Sequence, residues 1–228
     1  MNAIYALTII IVTVLLYNGM KGLYKRVNSP LFVPIATTTL VLIIILSLLN
    51  MSYNTYMIGG KWIDELLGPA VVALAFPLYQ NKATLKRYFT PIFVSVFIGT
   101  MIALFTGIYF SLLLKIDQKI LISILPKSVT SPVAMDIADI IGGVPTLAAV
   151  YVMIAGISGA MFGPIILKKS GISHFIGVGL GFGTSAHGIG TAKALEIGKR
   201  EAAISSVSMI LSAIFSSILY PYIILFFL

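Results

Sequence analysis

The chain has 228 residues, of which 59% are hydrophobic and 10% charged. A soluble globular domain carries roughly 25% charged residues, so a water-soluble enzyme or binding module is excluded and a polytopic membrane protein is indicated. The net charge of +8 is scattered in basic runs of at most two residues, which fits cytoplasmic loops rather than nucleic-acid binding, and the absence of cysteine excludes disulfides, thiol chemistry and cysteine metal sites.

A span takes ~20 residues, so the chain has room for seven or eight membrane segments in one polytopic domain over 1–228, with no soluble domain beside them. Residues 3–16 are apolar with no basic residue before them, and Lys21, Lys25 and Arg26 follow. A cleavable signal has the reverse order. The reading is a retained span at about 3–20, its N-terminus outside, then a basic cytoplasmic loop at 21–29. A second span covers 31–50. Residues 50–60 read as a polar loop, with Tyr53, Tyr56 and Trp62 suited to the headgroup belt. Segment three, 61–80, starts amphipathically at Lys61, Asp64 and Glu65 and is interrupted at Gly68 and Pro69. Lys82, Lys86 and Arg87 form a second basic loop, and 89–114 is an unbroken span.

Segment 120–141 is interrupted by Pro126-Lys-Ser-Val-Thr-Ser-Pro132. Proline lacks an N–H and disfavours helix in the residue before it, so this pair precludes a straight helix. Residues 145–167 form a span ending at Lys168 and Lys169. Segment seven, 172–198, contains Gly177-Val-Gly-Leu-Gly-Phe-Gly-Thr-Ser-Ala-His-Gly-Ile-Gly-Thr-Ala192, which sets six glycines, a histidine and three hydroxyls in a membrane-length stretch. Span eight, 202–227, opens with a serine face at Ser205, Ser206, Ser208 and Ser212.

Charge tests the count. If every segment crosses, Lys168 and Lys169 fall outside, against the positive-inside rule. If 120–141 dips in and returns, they fall inside, giving seven spans and one re-entrant hairpin in an all-α membrane fold. Gly68 to Arg87 resembles Gly181 to Arg200, each a break followed by a short apolar half and a basic pair. Under the hairpin topology this repeat is inverted, with halves at about 1–115 and 116–228. Paired interrupted segments point to a transporter-type site.

The polar residues at the breaks are the candidates. Lys127, flanked by Ser128, Thr130 and Ser131, stands before a helix start at Pro132. A helix start offers free N–H groups and a positive dipole end, and an ammonium adds a full charge; together they suit a small carboxylate. The alternative is a lysine snorkelling to the headgroups. His187 lies among Thr184, Ser185 and Thr191, with Gly183, Gly188 and Gly190 exposing backbone. Ionisable groups inside membrane segments are costly and mark function by default, and imidazole titrates near physiological pH, so His187 is the proton-coupling candidate. The alternative is a neutral ring bonded to a carbonyl for packing. Lys193 closes the stretch as a further candidate. Asp136 and Asp139 share a helix face and read either as groups that pair with Lys127, hold a proton or ligate a cation, or as groups lying in water near a membrane surface. His174 reads as interfacial, and Glu196 and Glu201 as ion-pair partners of Lys199 and Arg200.

Enzyme signatures are missing. There is no Gly-x-Ser-x-Gly elbow, P-loop or His-Glu-x-x-His, and the glycine run lacks the strand a dinucleotide fingerprint requires. No catalytic, cofactor or metal site is expected.

Three ordered stretches resemble a known family: Leu67-Gly-Pro-Ala-Val-Val-Ala-Leu-Ala-Phe-Pro-Leu-Tyr79, Ile124-Leu-Pro-Lys-Ser-Val-Thr-Ser-Pro-Val-Ala-Met135 and Gly183-Thr-Ser-Ala-His-Gly-Ile-Gly-Thr-Ala192. They are similar to the LrgB/CidB family of bacterial membrane proteins, over nearly the whole chain. The family's motif positions fall on Pro126, Lys127, Ser128, Thr130 and Pro132, and on Ser185, His187, Gly190 and Thr191. Ser131 stands where the family pattern has a second threonine. The resemblance implies a multi-pass protein of the bacterial cell membrane and two descriptions of its role. One is a holin-like or antiholin-like partner of the small membrane proteins LrgA and CidA, modulating murein hydrolase activity and cell lysis. The other is transport of small carboxylates, since the plastidic glycolate/glycerate translocator contains a similar domain and some bacterial members are linked to pyruvate movement.

The expectation is a transporter of small monocarboxylates of the pyruvate, lactate and glycolate class, acting with an LrgA/CidA-type partner. The alternative is an antiholin-like lysis regulator; a simple pore ranks below both, since it needs no paired broken helices. Small-residue faces also suit a homodimer.

Overall fold

A computed structural model describes the chain apart from residues 1, 28, 30–31, 67–68, 70–71, 74 and 228. The described residues are helical, with no strand among them: α1 (Asn2–Val27), α2 (Pro34–Leu48), α3 (Tyr53–Asp64), α4 (Ala75–Gln80), α5 (Lys82–Arg87), α6 (Phe89–Leu113), α7 (Gln118–Ile124), a 3-10 turn (Leu125–Ser128), α8 (Ser131–Ile140), α9 (Pro145–Lys169), α10 (Phe175–Ile197) and α11 (Lys199–Phe227). Among them four helices, α1, α6, α9 and α11, are long and apolar enough to cross a membrane. The chain divides into two compact units, Met1–Ala73 and Leu74–Leu228.

In the first unit α1 packs against α2 and α3. Helix and helix approach closely at Gly59, where a Cβ would lie 2.6 Å from the Ala6 carbonyl oxygen. Two expectations are corrected. The stretch expected as a basic loop at 21–29 is helical through Lys25 and Arg26, where cations suit the helix C-terminus. The expected polar loop at 50–60 is mostly helix: Ser52 caps α3 by accepting from the Thr55 N–H at 3.2 Å, so a polar stretch with a good cap folds as an amphipathic helix. The interruption at Gly68 and Pro69 falls on 67–71, where only Pro69 is described, so the break of the repeat's first arm lies outside the described residues, while the rest of that arm is the short helices α4 and α5.

The second unit is built on α6, α9 and α11. Helix α6 buries Ile92, Val96, Thr100, Leu104 and Ile108, one residue per turn. Phe97, Ile98, Ile102 and Tyr109 on its other faces are exposed, as suits a helix in lipid. Ile92 and Val96 pack on Ile204 of α11, and Thr100 Oγ1 meets Ser212 Oγ at 3.3 Å. Helix ends are closed by paired backbone bonds around a left-handed residue. At α8 the Gly142 N–H donates to Asp139 O and the Gly143 N–H to Ala138 O, with Gly142 at φ +84°; at α9 Gly171 and Ile172 do the same, with Gly171 at φ +69°.

Segment 118–144 leaves and returns. Pro126 and Pro132 stop the helix from running through, and the 3-10 turn plus the extended Val129 and Thr130 reverse it. The loop closes on itself: the Val144 N–H donates to Ser123 Oγ at 2.8 Å. Its arms are 7 and 10 residues long, ~10–15 Å of helix, too short to cross a ~30 Å core.

Segment seven corrects the sequence reading. It is a second hairpin, reversing at His187 (φ 42°, ψ −130°). A Cβ on Gly190 would lie 2.5 Å from the Phe182 carbonyl oxygen, impossible in a straight helix with seven residues between them. Val178, Phe182 and Ala194 form one apolar cluster, so the arms 175–186 and 188–197 run antiparallel. Gly179 lies against Glu201 and Ile204, and Gly183 against Ser205 and Ser208, so the first arm runs parallel to α11. Thr191 meets Ser205 in the returning arm. The stretch has the length of one span, but bare glycine surfaces let its halves pack on each other and on α11.

Candidate functional site

Lys127 lies in the 3-10 turn at the tip of the first hairpin. Its side chain is half-buried, and its Nζ would be 3.4 Å from a Cβ on Gly107 of α6. Among the described residues no side-chain hydrogen bond or ion pair engages Lys127, Ser128, Thr130 or Ser131. Thr130 occupies the N-cap of α8, yet its hydroxyl makes no cap bond, and proline follows in the first turn. The tip therefore presents an ammonium, hydroxyls and a helix start that the protein itself leaves open. Leu125 and Val129 around them are buried, in a core shared with Leu104, Ile108, Val152 and Tyr220.

The tip of the second hairpin is tied down. His187 is 4% exposed, and its Nε2 donates to the Val152 carbonyl of α9 at 3.0 Å. A carbonyl only accepts, so Nε2 carries the proton in this contact. Gly156, one turn on, makes room for the ring: a Cβ there would lie 2.7 Å from Nε2. On the other side Thr191 Oγ1 donates to the His187 carbonyl at 2.8 Å and meets Ser205 Oγ of α11 at 2.9 Å. Thr191 has a single hydroxyl hydrogen, so Ser205 is the donor to it. A side-chain-bearing residue at such a φ costs about 1–3 kcal/mol and persists where its surroundings over-determine it; anchors to α9 and α11 do that here. Thr184 and Ser185 return their hydroxyls to Leu180 O and Gly181 O, each at 2.6 Å.

The two tips approach one another through Val152. Its side chain belongs to the core around the first hairpin, and its carbonyl accepts from the tip of the second. The 3-10 turn itself packs against α6, α9 and α10. Val152 and Gly156 are the eighth and twelfth of the 25 residues of α9, so this meeting lies ~10–17 Å from the helix start.

The glycines divide by environment. Gly183 faces the Ser205 carbonyl, and Gly190 the Phe182 carbonyl, so protein fills the space a ligand would need. Gly188 has only Met209 Sδ near, at 4.0 Å. Lys193 forms an ion pair with Glu196 at 2.6 Å, a pairing other than the expected one with Lys199 and Arg200. Asp136 and Asp139 are exposed, and among the described residues neither is ion-paired with Lys127. His174 caps α10 through Nδ1, which accepts from the Ile176 N–H at 3.4 Å. Gly107, Val152 and Gly156 escaped the sequence reading, which took Ser205 only as part of a serine face. The spacing Gly156, Gly159, Gly163 is a legible sign of close helix contact, but it does not say against what.

The chain matches the LrgB-like family over residues 13–226. It is 45% identical over 220 residues to Uncharacterized protein YxaC of Bacillus subtilis (strain 168), covering 96% of each chain. It is 36% identical over 223 residues to Holin-like protein CidB of Staphylococcus epidermidis (strain ATCC 12228 / FDA PCI 1200), covering 97% of each. It is 35% identical over 225 residues to Holin-like protein CidB of Staphylococcus aureus (strain N315), covering 98% of each. No solved structure matches it. With its four membrane-length helices, this is a bacterial cell-membrane protein, and it belongs to the LrgB-like family.

Proposed function

We propose that the protein transports small monocarboxylates of the pyruvate, lactate and glycolate class, with an LrgA/CidA-type protein as partner. The observation that carries this is the first hairpin tip, where, among the described residues, no side-chain hydrogen bond or ion pair engages Lys127 or the hydroxyls of Ser128, Thr130 and Ser131. Polar groups at membrane depth are tolerated where they line a wet cavity or meet a ligand. One ammonium and the open start of α8 match one carboxylate. Hydroxyls beside it suit the keto or hydroxyl oxygen of the same molecule. His187 in this reading positions the second hairpin.

The topology follows from charge. In the second unit we read three spans and two hairpins, α6, hairpin, α9, hairpin, α11. Lys82, Lys86 and Arg87 precede α6, Lys168 and Lys169 end α9, and Lys199 and Arg200 begin α11. With both hairpins returning to the side they left, all of these fall on one side, which the positive-inside rule makes cytoplasmic. The hairpins then enter from opposite sides. The inverted repeat becomes span plus hairpin, 89–140 and 145–197, in place of halves at 1–115 and 116–228. Such a pair, meeting at the midplane, is the architecture of alternating access.

The test is uptake of labelled pyruvate, lactate and glycolate by proteoliposomes. Wild type should accumulate at least one of them, and Lys127→Ala should reduce uptake at least a hundredfold. Normal uptake by the variant would refute the site.

A second reading is regulation of murein hydrolase activity and lysis, favoured by the holin-like name of the staphylococcal relatives. It needs a surface for a membrane partner and leaves the open tip without a task. A lysis phenotype that persists in Lys127→Ala at equal protein level would favour it.

A further inference from the structure

We infer that the basic end of the second unit holds an anionic phospholipid, with its phosphate on Lys86 and a hydrocarbon chain in the cleft between α6 and α11. Such a site does not depend on the transport reading. A cleft of about 560 Å³ opens there, lined by Leu85, Lys86, Phe89, Thr90, Ile92 and Val207. That is within the size range of small-molecule sites, roughly 300–1,000 Å³. Ile92 is buried and packs on Ile204 of α11, whereas Lys86, Phe89 and Thr90 are exposed. The cleft is thus apolar inside and carries its polar groups, one ammonium and one hydroxyl, on exposed residues.

Charge selects the occupant. No Asp or Glu stands between Glu65 and Asp117, so every charge on α5 and α6 is positive. Lys82 lies over the Tyr79 ring at 4.6 Å and Arg87 over the Tyr88 ring at 5.5 Å. Lys86, between them in sequence, has no ring, hydrogen-bond or ion-pair partner among the described residues, and the Thr90 hydroxyl four residues on has no hydrogen bond there. From the cleft an apolar path runs along the two helices. Phe89 meets Phe93 at 5.7 Å between ring centroids, and Phe93 and Phe97 meet Phe215 of α11 at 5.0 and 5.4 Å. Phe89, Phe93 and Phe97 are exposed, so in a membrane they face lipid. A free anion would leave this path uncovered, and a zwitterionic lipid would bring its own cation to Lys86. Under the topology proposed above, this end is cytoplasmic, where anionic lipids attract basic segments.

The test is retention of dioleoyl phosphatidylglycerol or dioleoyl phosphatidylcholine by the purified full-length protein in detergent, counted by native mass spectrometry. Wild type should hold phosphatidylglycerol in preference to phosphatidylcholine. Lys86→Gln should weaken that binding about fivefold, the effect of one basic residue at an anionic surface. Lys86 is exposed, so this variant keeps the fold. Val207→Trp, which fills the cleft from α11 without changing charge, should weaken binding as well. Lys169→Gln makes the same charge change at the end of α9, which lends the cleft no residue, and should bind as wild type does. Excess inorganic phosphate should not displace the lipid. Equal retention of the two lipids by wild type, unchanged binding in Lys86→Gln, equal losses in Lys86→Gln and Lys169→Gln, or displacement by phosphate would each overturn the inference.

Discussion

The two hairpin tips are built from similar residues and treated in opposite ways. Each carries one basic side chain and several hydroxyls. At the first, no side-chain hydrogen bond or ion pair engages Lys127, Ser128, Thr130 or Ser131 among the described residues. At the second, His187, Thr184, Ser185 and Thr191 all bond to backbone carbonyls. Buried polar groups are normally satisfied. The second tip satisfies its own polar groups, and in the proposed transport reading the first tip is completed by the substrate. Polar residues in a membrane segment therefore mark function only after their partners have been counted.

The sharpest way to break this comparison is to remove both basic groups separately. Lys127→Ala should abolish uptake and change the melting temperature of the purified protein little, because it removes no protein hydrogen bond or ion pair among the described residues. His187→Ala should lower the melting temperature, because it removes a buried hydrogen bond and vacates the space beside Gly156; the loss of such a group is about 1–3 kcal/mol. If Lys127→Ala melts early and His187→Ala does not, the assignment of open and tied tips is inverted.

Packing gives the next effect. Gly183→Ala drives a methyl group into the Ser205 carbonyl, which has no side-chain freedom to yield, and overpacking of this kind costs about 1–3 kcal/mol. Gly188→Ala, with only Met209 near, should change the melting temperature little. Equal effects would remove the distinction between the glycines.

The smallest effects test the hydroxyl chain from Ser205 through Thr191 to the His187 carbonyl. Thr191→Val and Ser205→Ala should each cost about 0.5–1.5 kcal/mol, and the double variant less than their sum, because both break one chain. Additive losses in a double-mutant cycle would show that the two hydroxyls act independently.

The amino-acid sequence determined a great deal here. Apolar length fixed the spans α1, α6, α9 and α11, because hydrocarbon thickness is a one-dimensional constraint that a hydropathy pattern can meet. Prolines 126 and 132 fixed the first break, because a missing N–H acts locally. Ser52 was equally local, and a cap weighed there would have revealed α3. The reversal at His187 was not legible. Glycines permit a turn and a straight helix alike, and the choice depends on whether Phe182 and Gly190 find each other and α11 alongside. The partner of each polar group was hidden for the same reason: Val152, Ser205 and Gly107 are distant in sequence from the residues they meet. Composition and local backbone chemistry decide where a chain enters the bilayer and where it breaks; only tertiary packing decides which breaks are filled by protein and which stay open, because that depends on atoms brought together from separate helices.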